Sequence, residues 1–160
     1  MRLRYSLQMS TEEVQPIVEF FVEGEPKGQP RPRVAVIAGR ARVYSGKSAG
    51  VWAKSVRDEA ERYFRRNSSS PIKTYPVEVR FDFLMPRPKS HYGTGKNAKT
   101  FKHWAPQWHT NKPDLDNCVK LVIDQMHGYF FDDDKCVCCI RSTKRYADDK
   151  PGCWVRLYLA

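Results

Sequence analysis

Asp114 and Asp116 stand two positions apart, and a second group of carboxylates, Asp132, Asp133 and Asp134, returns after a helix-length interval. In an extended run, side chains two apart point the same way, so the first pair converges on one point in space. From Asp116 onward the polar residues Asp116, Lys120, Asp124 and His127 recur at i, i+4, i+8 and i+11, which is one stripe of a helix. Leu115, Val119, Val122 and Met126 form a separate apolar stripe that predicts burial against a core.

The distribution of charge sharpens this pattern. The chain carries a net charge of +10, yet its segment 114–134 holds six of the 18 acidic residues and one of the 28 lysines and arginines. An acidic pocket within a basic protein suits metal-assisted cutting of a polyanion: carboxylates hold a divalent cation, and the surrounding surface attracts phosphate. The residues alone leave a plainer alternative, in which Asp114 or Asp116 caps a helix and Asp132–Asp134 is a solvated turn.

The run Lys112-Pro-Asp-Leu-Asp-Asn-Cys-Val-Lys120, then a helix, then Asp133, Asp134 and Val137, resembles the RusA family of Holliday-junction resolvases. The Pro-rich stretch from Gly24 to Arg33 is similar to a Pro-x-x-x-x-Arg-Pro-Arg segment of the same family, and together the likenesses span roughly residues 17–159. The resemblance implies an endodeoxyribonuclease of DNA recombination and repair that cuts a four-way junction symmetrically as a homodimer. It places Asp114, Asp116 and Asp134 at the catalytic, metal-holding positions and Lys120 at the lysine position. The implied metal is Mg²⁺, with Mn²⁺ as a substitute. Asp133 is the rival for the third ligand, because the register of Asp132–Asp134 is not fixed by sequence.

The chemistry agrees with these assignments. Phosphodiester hydrolysis needs a nucleophilic water and compensation for charge growing on the phosphate and the leaving oxygen. Lys120, one helical turn beyond Asp116, is placed to contact the scissile phosphate or the leaving oxygen. Asp124, two turns beyond Asp116, reads either as a supporting group or as an ion-pair partner of Lys120.

Candidate DNA contacts lie in two other segments. Lys27, Arg31 and Arg33 sit on a backbone stiffened by Pro26, Pro30 and Pro32, and Lys112 opens the acidic motif. Residues 86–112 show no period and form a long basic and aromatic loop, with Arg87, Lys89, Lys96, Lys99 and Lys102 interleaved with Tyr92, Phe101, Trp104 and Trp108. Either the rings stack on unpaired bases while the cations hold phosphates, or the rings fold back on the core. His91, His103 and His109 are expected at the surface or against DNA. This loop and the cysteine-rich strand are where the chain departs from compact family members, which bears on substrate preference.

These residues must be positioned by an α/β single-domain sandwich, with a mixed β-sheet and two main helices packed on one side. Its elements read in the order β-β-β-α-β-α-β-β: strands at 16–22, 34–37 and 41–44, a helix at 48–66, a strand at 77–85, the motif helix, then strands at 136–146 and 153–159. All 160 residues are expected to form one nuclease domain, with residues 1–15 flexible. The five cysteines read as thiols in a cytoplasmic protein with no membrane span; a zinc site among Cys136, Cys138 and His127 or Cys153 matches no recognised spacing. Two other functions fit part of the pattern. A non-catalytic DNA-binding module gives no reason to gather six acids where DNA would dock. A metal-dependent nucleotide phosphohydrolase lacks the Gly-rich phosphate loop.

Overall fold

A computed structural model describes residues 14–30, 33–37, 40–44, 49–67, 71–72 and 75–160, and within 33–37 and 41–44 the backbone alone. Residues 1–13 lie outside them, so the expected flexibility of 1–15 falls almost wholly on undescribed chain. The elements follow the expected order: β1 (Val18–Glu23), β2 (Arg33–Ile37), β3 (Arg40–Tyr44), α1 (Gly50–Arg66), β4 (Val77–Met85), α2 (Leu115–Met126), β5 (Val137–Tyr146) and β6 (Gly152–Leu159).

Four strands make a mixed sheet in the order β1-β6-β4-β5, while β2 and β3 pair as a separate hairpin. β6 runs antiparallel to both β1 and β4, and β4 runs parallel to β5. Parallel neighbours need a crossover connection. Here it comprises the 86–112 loop and α2, so the strand pairing itself brings the acidic motif back to the sheet.

Alternation dictates which face of the sheet is dry. Val77, Val79, Phe81, Phe83 and Met85 point inward from β4, and Val18, Phe20, Val22, Cys153, Val155 and Leu157 join them from β1 and β6. Trp52, Val56 and Ala60 of α1 share that core with Cys118, Leu121, Val122 and Met126 of α2. Both helices therefore cover one face. α1 stops at Asn67, whose amide and Nδ2 both donate to the Tyr63 carbonyl, and α2 is followed by Gly128 at φ +83°, a conformation that favours glycine.

The opposite face carries a charged network. Arg156 Nη1 donates to Asp82 at 2.8 Å and its Nε to Glu19 at 2.7 Å, and Thr143 Oγ1 donates to Asp82 at 2.7 Å. Burial pushes the Asp82 carboxyl up, but the bonds from Thr143 and Arg156 outweigh it and hold the group below its usual value. A depressed native value means that the stabilisation is present above the unfolded pKa, about 3.9, and is lost as pH falls through the native one. Asp82→Asn is therefore expected to flatten the acid side of the stability curve, read as urea midpoints from neutral pH downward. An unchanged acid slope would show that the network is energetically idle.

The 86–112 loop is ordered by its own aromatics. Tyr92 and Phe101 bridge across it with ring centroids 5.2 Å apart. His91 and His109 meet the ring of Tyr146 edge-on at 4.9 and 4.8 Å. The Arg87 side chain is 4% exposed, lies 4.4 Å over Phe101 and donates to the carbonyls of Pro106 and Ala147. This corrects two expectations. His91 and His109 are packing groups instead of surface or DNA-facing ones, and Arg87 is a tether unavailable to phosphate. A 27-residue insertion stays ordered only if it buries something, and His91 and the Arg87 side chain are what it buries most completely.

Candidate active site

The approach to the acidic motif is held from both sides. Lys144 of β5 donates from Nζ to the carbonyls of Asn111 at 2.7 Å and Pro113 at 2.5 Å, the residues just ahead of Asp114. The Lys112–Pro113 bond is cis. On the other side, residues 24–30 cross the start of α2. A Cβ on Gly28 would lie 3.0 Å from Asn117 Cβ and 3.1 Å from Pro113 Cβ, and the Gln29 amide donates to the Asn117 carbonyl at 2.9 Å. A side chain at residue 28 would press on both neighbours, which glycine avoids. The Pro-rich segment is thereby strapped onto the motif.

Asp114 occupies the N-cap of α2 with extended backbone (φ −67°, ψ 144°), and its carbonyl accepts from the Cys118 amide. Its carboxylate makes no capping hydrogen bond. The plainer alternative, in which this side chain serves to cap the helix, thus does not describe it. Asp116 follows in the first turn, an exposed carboxylate near the positive end of the helix dipole.

Between α2 and β5 lies a cleft of about 680 Å³. Its polar lining is Asp116, Lys120, Asp134 and Ser142, and its walls are Leu115, Val119, Ile123, Val137 and Ile140. Lys120 Nζ stands 3.2 Å from Asp134 Oδ2 and 2.8 Å from Asp124 Oδ1, and Gln29 Nε2 donates to the other Asp124 oxygen at 3.2 Å. The hydrogen bonds to Asp124 and then Asp134 push the Lys120 ammonium above the ordinary lysine range. A chain Gln29–Asp124–Lys120–Asp134 thus runs from the Pro-rich segment into the cleft. Of the two readings of Asp124, the ion pair with Lys120 is present, and the contact with Gln29 gives it a supporting role as well.

Asp133 and Asp134 diverge. Asp133 accepts from the Lys135 amide at 3.0 Å and pairs with Lys135 Nζ at 3.1 Å, closing a short 3₁₀ turn over Asp134–Cys136. These bonds, the amide first, hold its carboxyl low. The next side chain, Asp134, is the one that lines the cleft.

The structure therefore gathers Asp116, Lys120 and Asp134 at one cleft, with Asp114 at the head of the same helix. Among the described residues no three His, Cys, Asp or Glu side chains come together as a ready-made metal group. Lys27 pairs with Glu25 at 2.5 Å, and Lys112 is exposed. Arg31 and the side chain of Arg33 lie outside the described residues. Sequence reasoning missed Gln29 and Lys144. Gln29 was flanked by the cations that drew attention to its segment, whereas nothing set Lys144 apart from the other bases of β5. The five cysteines are free thiols, with Cys153 wholly buried and Cys138 exposed. Burial raises the Cys118 thiol to about 11, which leaves it inert.

The edge strand β5, paired in parallel with β4, and the crossover helix α2 thus flank an acidic cleft in which Lys120 is paired with Asp134 beside Asp116. The sequence matches the family described as endodeoxyribonuclease RusA over residues 23–158, and the chain belongs to that family. It is an endodeoxyribonuclease of the Holliday-junction-resolving, divalent-metal-dependent kind. The chain is also 29% identical over 135 residues to the uncharacterized protein YqaN of Bacillus subtilis (strain 168), covering 82% of this chain and 89% of that one. No helix among the described residues is long and apolar enough to cross a membrane.

Proposed function

We propose that this chain, acting as one cytoplasmic nuclease domain, resolves four-way DNA junctions by paired symmetrical phosphodiester hydrolysis at the cleft between α2 and β5. The observation that carries the reading is the convergence of Asp116, Asp134 and the Lys120 ammonium on one cleft inside a protein of net charge +10. Hard carboxylate oxygens fit Mg²⁺, which binds through one or two carboxylates and keeps its remaining positions for water and phosphate. Mn²⁺ suits the same donors. Asp116 and Asp134, with Asp114 from the helix N-cap, are the residues assigned to hold it. When bound, the ion supplies a nucleophilic water and charge compensation at the phosphate.

The chain's own residues do the rest. Lys120 is paired with Asp134 and Asp124; once phosphate enters, it hydrogen-bonds the leaving oxygen and stabilises the charge that grows there. Asp124, oriented by Gln29, keeps the ammonium at the cleft while the Asp134 oxygens serve the cation. Lys27, Arg31, Arg33 and Lys112 take phosphates on either side of the motif. Symmetrical cutting needs two such clefts related by a twofold axis, hence a homodimer.

A synthetic four-way junction with Mg²⁺ separates the alternatives. Paired symmetrical nicks are expected. Binding without nicks would indicate a DNA-binding module, and turnover of free nucleotides a phosphohydrolase. Arg31→Ala and Arg33→Ala are each expected to weaken junction binding and lower its salt slope by roughly one phosphate contact. An unchanged slope would remove that segment from the DNA surface.

A further inference from the structure

The four tryptophans divide into two pairs. Trp52 is buried in the core, and Trp154 packs on Phe21 at 5.1 Å, whereas Trp104 and Trp108 are 53% and 56% exposed. Both exposed rings come from the 86–112 loop, and both stand on anchored backbone. Under Trp104, the Ala105 amide donates to the Lys102 carbonyl at 2.9 Å, and the indole meets buried His91 edge-on at 5.7 Å. Trp108 pairs antiparallel with Arg145 on the outer edge of β5, flanked by bonds from the Tyr146 amide to Gln107 and from the His109 amide to Lys144. The indoles are thus presented on anchored backbone, with much of their apolar area left in water, and such rings are enriched at interfaces.

We propose that Trp104 and Trp108 form a stacking platform for unpaired bases at the branch of the DNA substrate, with Lys102 holding the adjoining phosphate. This rests on the nuclease reading and specifies how that enzyme tells a branch from plain duplex. Lys102 Nζ lies 5.3 Å over the Trp104 ring, so a cation accompanies the aromatic surface. Trp108 stands six residues ahead of Asp114 on a strip held to β5, which links the platform to the catalytic lead-in. A net charge of +10 favours a polyanion over a second copy of the chain as the occupant of this surface. Stacking is available to every base, so the platform reads strand separation and is tolerant of sequence.

The test titrates the full chain in EDTA, where cutting is suppressed, with oligo(dT) and with a blunt duplex, reading tryptophan emission and anisotropy. Oligo(dT) is expected to quench the emission. Trp104→Ala with Trp108→Ala should lose roughly tenfold or more in oligo(dT) affinity and keep duplex affinity within about twofold, since phosphate contacts persist. Trp104→Phe with Trp108→Phe should retain most of the affinity. An unchanged oligo(dT) affinity, an equal loss on both DNAs, or a shift in oligomeric state by sedimentation would overturn the platform. If the double alanine variant does not fold, the single alanine variants are read in the same way. Junction cutting by the unaltered protein is scored separately, so failure of the nuclease reading is distinguishable from failure of the platform.

Discussion

Asp116→Asn is expected to lower junction cleavage by roughly 10²- to 10³-fold, the scale of losing a group aimed at transition-state charge, while junction binding is kept or tightened. Asparagine preserves shape at an exposed position of the first helical turn, so the fold has little reason to respond. What changes is one hard anionic oxygen at the cleft, and with it the capacity to hold a divalent cation. The same change removes a negative charge close to where phosphate must sit, which is why binding should not suffer. Single-turnover cutting and gel-shift affinity in EDTA measure the two effects independently. Weaker binding together with a lower melting temperature would show instead that Asp116 is structural.

Lys120→Ala is the second large effect, a loss of roughly 10²-fold or more in kcat with KM little altered. The ammonium is held by Asp124 at 2.8 Å and Asp134 at 3.2 Å, so it is positioned before substrate arrives. A contact made mainly to the leaving oxygen strengthens as that oxygen gains charge, and its loss therefore falls on kcat. Asp124→Asn should cost less, about tenfold, as is usual for a group acting through another. Lys120 is more than half exposed, so its replacement should not greatly disturb folding. A change confined to KM would mean that Lys120 only gathers DNA.

Much of the fold was legible because its periodicities were strong. The alternation of Val77–Met85 and the apolar stripe of α1 each admit one buried face, and the structure uses those faces. The motif helix was legible in the same way, although its buried surface is broader than one stripe, taking in Cys118, Leu121 and Ile123 as well. The 86–112 loop was not legible. Its order comes from contacts such as His91 and His109 on Tyr146, which lie far apart in sequence and follow no local period. Whether its rings packed or projected divides residue by residue: Tyr92 pairs with Phe101, whereas Trp104 and Trp108 remain largely exposed.

Sequence by itself determined the chemistry on offer: a cluster of acids in a basic chain, one lysine a helical turn past Asp116, and helical spacing that keeps Asp116, Lys120 and Asp124 in line. Those relations are local, fixed by 3.6 residues per turn and by charge that does not depend on folding. Tertiary structure alone decided which of Asp133 and Asp134 enters the cleft, that Gln29 reaches Asp124, and that Lys144 braces the lead-in to Asp114. The Lys144 brace depends on the parallel pairing of β4 with β5, which returns a distant strand to the helix, and the Gln29 contact joins residues 95 apart; no spacing along the chain encodes such meetings.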